Sequence, residues 1–278
     1  MNFKKLNHTN LVCRGVALLS VLITLYPIVF VGLTSLKATS EFYNNIWGIP
    51  REFKWSNYYS AWVTSRIGRY FKVSVIVVGI SVVAVLIFSA LAGYALSRLK
   101  VRYVSAAAIG IIVITQLMPL ESVIMPLYLI MSRLRLLNGY VTLILPYIGW
   151  GMPLTILIYK NYFDTIPQEL MEAARIDGCS ELQCFCRIAV PVMKPATATN
   201  AIFNFVGLWG ELLWASVSTA TSQFGTLPVG IISFKQQFST DWGPMSAAIC
   251  IVILPLILIF SFLQKYFVQG LSNGALKG

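Results

Sequence analysis

Lys160 to Lys194 reads KNYFDTIPQELMEAARIDGCSELQCFCRIAVPVMK, a polar and charged stretch in the middle of a chain otherwise rich in long apolar runs. It is the one long segment unable to lie in hydrocarbon, and it is too regularly punctuated for slack linker. Pro167 suits the first turn of a helix, where its missing N–H costs nothing, and Gly178 suits the position just past a helix end. Ser180 followed by Gln183 reads as a capping box opening a second helix, which Pro191 is expected to end. Two short helices meeting at a glycine turn, facing solvent between membrane spans, make a good shape for gripping another protein.

Around this island the 278 residues are 57% hydrophobic and 11% charged, the composition of a polytopic membrane protein. The net charge of +11 lies mostly in short segments flanking apolar runs, as topology signals do, so nucleic acid is not an expected partner. The five cysteines, Cys13, Cys179, Cys184, Cys186 and Cys250, are scattered and odd in number, which gives no disulfide framework. The only histidine is His8, so Cys179, Cys184 and Cys186 read as small apolar filler rather than a metal cluster. No metal or other cofactor is expected.

A span needs about 20 mostly apolar residues. Six segments qualify, near Gly15–Leu33, Val73–Gly93, Val104–Met131, Gly139–Tyr159, Ala196–Ser218 and Met245–Gln264. The third carries Pro119, Glu121 and Pro126 and the fourth Pro146 and Pro153, so both are expected to be kinked or locally broken. The expected fold is all-α: an N-terminal tail over 1–14, a six-span domain over 15–268 with the polar loop at 160–195, and a tail over 269–278. Even parity puts both termini on one side. With the N-terminus cytoplasmic the larger share of Lys and Arg lies inside, and the tight Arg98-Leu-Lys-Val-Arg102 turn is the strongest single vote. That places the island in the cytoplasm. Outside, the first loop, roughly Thr34–Tyr70, is long enough for a small structured element rimmed by Trp47, Trp55, Tyr58, Tyr59 and Trp62. The last, about Thr219–Gly243, carries Phe224, Phe234 and Phe238, read equally as loop filler or as a partner contact.

Within the island, Glu172-Ala-Ala-Arg-Ile-Asp177-Gly178, followed by Ile188 and Pro191, resembles the EAA motif of ABC importer permeases. Further segments narrow the resemblance to carbohydrate importers of the maltose-transporter type. They are Pro126-Leu-Tyr, Tyr162-Phe-Asp-Thr-Ile-Pro167, Leu227-Pro-Val-Gly230, Trp242-Gly and the ending from Tyr266 to Gly278. Departures are local: Val73 stands where such permeases usually have Asn, and Cys179 replaces a common Ala. The resemblance implies a cytoplasmic coupling helix that docks on an ATP-binding subunit, with Glu172, Ala173, Ala174, Asp177 and Gly178 at the contact. It implies a permease of the bacterial cytoplasmic membrane working with a second permease subunit, two ATP-binding-cassette ATPase subunits and an extracytoplasmic solute-binding protein to import a sugar. It also implies that the last outside loop reaches toward the binding protein and the C-terminal tail toward the ATPase. The residues fit this division: small Ala173 and Ala174 let a partner surface approach, Gly178 permits the turn, and the chain has no Gly-x-x-x-x-Gly-Lys-Ser/Thr phosphate cradle of its own. Asp177 at a helix C-terminus opposes the helix dipole. An interaction with the N-terminus of the second helix is expected to offset it.

Ionisable groups inside spans are costly and usually face protein or a watery path. Glu121 and Glu211, with Gln116, Asn200, Asn204, Trp209 and Trp214, are therefore candidates for the substrate path, and equally for contacts inside the protein or with the neighbouring permease. Three other readings stay open: a permease for glycerol-phosphate-type cargo, a self-sufficient carrier with an ion on Glu121 or Glu211, and, more remotely, a membrane-embedded hydrolase. No catalytic constellation accompanies the last.

Overall fold

The structure, a computed structural model, describes residues 3–98, 102–220, 224–234 and 240–275. Its elements are helical. In chain order they are α1 (Phe3–Thr34), α2 (Thr39–Asn44), α3 (Ser56–Tyr59), α4 (Ile67–Arg98), α5 (Arg102–Leu117), α6 (Leu120–Arg133), α7 (Tyr140–Phe163), α8 (Gln168–Ile176), α9 (Glu181–Cys184), α10 (Val190–Val192), α11 (Lys194–Trp209), α12 (Leu213–Ser218), α13 (Leu227–Ile232) and α14 (Trp242–Ala275). Single π-helical turns follow α3 and α9.

Among the described residues four helices are long and apolar enough to cross a membrane: Val12–Thr34, Ile67–Arg98, Tyr140–Phe163 and Trp242–Lys265. They match the first, second, fourth and sixth expected spans. The third is a bent pair, Tyr103–Leu117 and Leu120–Arg133, meeting at 100°. Of the six expected spans, four are thus single helices long enough to cross, or five are accounted for with the bent pair taken as one. Pro119 makes that break: it caps α6 in an extended conformation, since its ring and missing N–H suit a helix entrance but not an interior. Pro126, by contrast, is absorbed inside α6. The fifth segment divides into α11, of 16 residues, and α12, of 6, each too short to cross alone.

The fourth segment is not broken. Pro146 and Pro153 both lie inside one continuous helix, α7. Pro146 removes the N–H that would serve the Thr142 carbonyl, and the indole N–H of Trp214 donates to that carbonyl instead, at 2.8 Å.

The described residues fall into two compact units, one within Met1–Gly68 and Gly230–Leu254, the other within Arg69–Val229 and Pro255–Gly278. In the first, the loop after α1 is indeed a small structured element. Lys37, 1% exposed, donates through Nζ to the carbonyls of Asn45 at 2.9 Å and Ile46 at 3.0 Å. It holds the chain leaving α2, a structural use that its place among topology charges did not suggest. Asn57 donates to the Ser35 and Lys37 carbonyls, Phe42 stacks on Trp242 at 4.8 Å, and Trp47 packs against Phe30 at 5.3 Å.

In the second unit α7 packs against α5, α11 and α12, and α4 meets it at Gly93. Gly93 makes their close approach possible: a Cβ there would lie 2.9 Å from the Tyr159 Cβ and 3.0 Å from the Lys160 nitrogen. At the ends of these helices Arg98 donates to the Phe163 carbonyl at 3.1 Å, a cation closing a helix C-terminus, and Ser97 donates to Asp164 at 2.7 Å. Both contacts fix the start of the polar island.

Candidate functional site

Residues 164–193 form the helix pair expected from their punctuation. Pro167 sits at the N-cap of α8, one position before the first helical residue. At the other end Gly178 takes φ +85°, a left-handed conformation that other residues adopt at a cost. Its N–H bonds the Arg175 carbonyl at 3.0 Å and the Cys179 N–H bonds the Ala174 carbonyl at 2.9 Å, which is the Schellman closure. The capping box is present in full: Ser180 Oγ accepts from the Gln183 N–H and the Gln183 side chain accepts from the Ser180 N–H.

Two expectations for the pair are corrected. The second helix does not stop before Pro191: α9 runs through a π-helical turn, Phe185–Ala189, into α10 and α11. The Val190 N–H reaches back five residues to the Phe185 carbonyl, and this wider turn leaves room for the proline ring where an α-helical turn would clash. Nor is the Asp177 carboxylate taken up by the second helix; among the described residues no hydrogen bond or ion pair reaches it. The bridging role falls to Arg175 and Glu181, paired at 2.7 Å. The Tyr94 hydroxyl adds a longer hydrogen bond to Glu181 at 3.4 Å. The hydrogen bond from Arg175 holds the Glu181 carboxyl below its usual range, more strongly than slight burial raises it.

One face of the pair is anchored. Met171 and Ala174 of α8, Cys184 of α9 and Phe185 enter a core with Tyr94, Tyr159, Phe163 and Met193. The Tyr94 ring stands edge-on to Phe163 at 5.5 Å and to Phe185 at 5.2 Å. Full burial of Met171 alone is worth about 1.5–3 kcal/mol. Cys184 is the small apolar filler expected, whereas Cys186 is exposed. The opposite face is open: Leu170, Glu172, Ala173, Ile176 and Asp177 are exposed, Ile176 at 86%, and Leu182 of α9 is 66% exposed. The structure thus splits the alanine pair expected to meet a partner, turning Ala174 into the core and leaving Ala173 on the open face. An amphipathic helix with its apolar outer side uncovered and its inner side bolted down is suited to docking without detaching from the spans.

The expected path residues gather mostly along α7. Asn204 donates to Thr155 Oγ1 at 2.8 Å and to the Asn200 carbonyl at 2.9 Å, and the Asn200 side chain is fully buried. Glu211 sits at the break between α11 and α12. Its Oε1 accepts from the Trp214 N–H at 2.7 Å, and its Oε2 accepts from the Ala215 N–H at 3.1 Å and the Tyr147 hydroxyl at 2.7 Å. A carboxylate at this place caps the new helix and satisfies amide groups that the break exposes. Trp209 and Trp214 are buried. Glu121 is exposed in the first turn of α6 and stands apart from this group. Gln116 lines a cavity of about 410 Å³ with Met118, Leu120, Gly149, Trp150 and Pro153. Sequence reasoning passed over Trp150 and Tyr147. Their spacing of three on a helix carrying two prolines was the available signal.

In the loop expected outside, α13 folds back: the Leu227 N–H donates to Ser74 Oγ at 2.8 Å. Phe224 packs on Tyr140 at 5.0 Å and Phe234 is 5% exposed, so neither is displayed as a contact. Phe238 lies outside the described residues.

Residues 86–273 match the family described as binding-protein-dependent transport system inner membrane component. The chain is 34% identical over 256 residues to the probable ABC transporter permease protein YurM of Bacillus subtilis (strain 168), covering 91% of this chain and 84% of that one. It is 35% identical over 246 residues to the melibiose/raffinose/stachyose import permease protein MelC of the same organism, covering 88% of each. Among solved structures, the fold matches a chain in the crystal structure of a bacterial ABC transporter involved in import of the acidic polysaccharide alginate. The TM-score is 0.80 at 22% identity, over 96% of this chain and 99% of that one.

Proposed function

The chain belongs to the family of binding-protein-dependent transport system inner membrane components, and from that premise we propose that it is one of two permease subunits of an ABC importer for a neutral oligosaccharide. The family and the apolar helices make it a multi-pass protein of the cell membrane. In this reading both termini and the 160–195 loop face the cytoplasm, a solute-binding protein delivers cargo from outside, and a pair of ATPase subunits supplies the energy. The 15–268 segment acts as the permease domain, the 1–14 and 269–278 tails lie on the ATPase side, and the last outside loop lies on the binding-protein side.

The observation that carries the proposal is the two-faced α8–α9 pair. Its buried face couples it rigidly to α4 and α7 through Met171, Ala174 and Phe185. Its open face, with Glu172, Ala173 and Asp177 among uncovered apolar side chains, receives the ATPase. A movement of the ATPase then moves the ends of α4 and α7 with little lost in slack.

The oligosaccharide cargo is supported by relatives such as the melibiose/raffinose/stachyose import permease. A carrier that binds a coupling ion on Glu211 is less well supported, because the hydrogen bonds described for that carboxylate are helix-capping contacts with Trp214 and Ala215 and a packing contact with Tyr147. The test is uptake of labelled mono-, di- and trisaccharides and of glycerol phosphate by the reconstituted complex. Accumulation of an oligosaccharide only with ATP and binding protein supports the reading. Accumulation of glycerol phosphate instead, or uptake driven by an ion gradient alone, overturns it.

A further inference from the structure

We propose that the cavity at the break of the third apolar segment is a carbohydrate-ring subsite of this chain, with the Trp150 indole as its platform and the Gln116 amide and Gly149 carbonyl as hydroxyl partners. The inference deepens the oligosaccharide reading and rests on it.

Four observations converge. First, the segment turns by 100° between Leu117 and Leu120. Non-helical backbone at membrane depth persists only where protein covers it or where it lines a watery cavity, and a cavity of about 410 Å³ lies against this break. That volume is within the range of small-ligand sites. Second, hydrogen-bonding groups line the cavity. The Gln116 amide is exposed in the last turn of α5 and lines the cavity. The Gly149 carbonyl loses its ordinary helical donor because residue 153 is proline, and both Gly149 and Pro153 line the cavity. An amide with donor and acceptor beside a carbonyl that lacks its ordinary helical donor matches neighbouring hydroxyls.

Third, Trp150 is held at a fixed angle. Its ring meets Trp214 edge-on at 6.2 Å and lies tilted on Tyr147 at 5.8 Å. Tyr147 is tied by its hydroxyl to Glu211, and Trp214 by its indole to the Thr142 carbonyl. Glu211 is on this account a positioning residue for the platform, and not a substrate contact. A rigid flat apolar surface next to hydroxyl partners suits a pyranose ring, which has an apolar C–H face and a polar edge. Fourth, the cavity lining contains no Lys, Arg, Asp or Glu. A phosphate ester finds no counter-charge there, whereas a neutral sugar needs none.

The test uses the complete reconstituted complex. Its first arm measures wild-type uptake of neutral oligosaccharides; failure there overturns the oligosaccharide reading, and the subsite with it. With a transported sugar in hand, Trp150→Ala and Gln116→Ala are each expected to lower the sugar molecules moved per ATP hydrolysed about tenfold for the platform and several-fold for the amide, with Trp150→Phe recovering part of the loss. A defect of folding or assembly lowers uptake and hydrolysis together and leaves that ratio unchanged. The subsite is overturned, with the oligosaccharide reading intact, if both alanine variants keep the wild-type ratio. It is also overturned if Gln116→Ala, on an exposed position that folding does not need, releases the second permease subunit; that result would make the cavity wall an interface between permeases.

Discussion

Substitutions at Gly178 separate two reasons for glycine at the turn between α8 and α9. The residue sits at φ +85° with no heavy atom within 4 Å of where a Cβ would be. Within this chain, therefore, size costs nothing and backbone conformation costs everything. Alanine in the left-handed region costs about 1–2 kcal/mol, asparagine less because it tolerates that region, and valine more because it is β-branched. If the strain is relieved by opening the Schellman turn, the ratio of closed to open helix pairs falls by about 5–30-fold for Gly178→Ala. The assay is the affinity of the purified permease pair for its ATPase subunits, with intact insertion checked by detergent-solubilised yield. The expected order is Gly, Asn, Ala, Val from tightest to weakest. If glycine instead serves to let the ATPase surface approach, side-chain volume decides and alanine outperforms asparagine. That order would refute the backbone argument.

Further outcomes follow from the same packing. The Glu181 carboxyl is depressed by Arg175, so its contribution to the helix pair is complete above the ordinary carboxylate value near pH 4.3 and is lost as pH falls through the lower folded value. Hydrogen exchange of α8 and α9 should accordingly be insensitive to this pair between pH 8 and about 5 and lose protection below about pH 4, a loss absent in Glu181→Gln. Trp214→Phe keeps most of the ring but strips the Thr142 carbonyl of its donor, and should lower stability in detergent by about 1–3 kcal/mol, read as a reduced thermal midpoint. Gly93→Val places side-chain atoms against Tyr159 and the Lys160 backbone, which cannot move aside as a flexible tip would. Folded yield should fall sharply, while Gly79→Val, where a Cβ meets nothing within 4 Å, should express normally.

The island was legible because local chemistry decides its shape. The capping box at Ser180 and Gln183 and the left-handed Gly178 require no distant partner, and both formed as the residues indicate. What the pattern did not reveal depends on contacts far apart in the chain. Pro146 looked like a break, yet the donor that rescues α7 is Trp214, some 70 positions away. Glu211 looked like an expensive intramembrane charge, and its use as a cap emerges only because the fifth segment is interrupted beside it. Pro191 misled for a related reason, since a π-helical turn lets a proline pass where the α-helical rule predicts an end. Ala173 and Ala174 are adjacent and chemically identical. Only the placement of the core around Met171 and Phe185 tells which faces outward.

That distinction supplies the most direct test of the coupling account. Ala173 is exposed on the open face of α8, so Ala173→Tyr leaves the permease folded and paired but obstructs the docking surface. Co-purification of the ATPase subunits with the permease pair is the measurement. The account predicts loss of the ATPase subunits at undiminished recovery of both permease chains. Retention of a full complement of ATPase, with wild-type hydrolysis stimulated by the loaded binding protein, would contradict it.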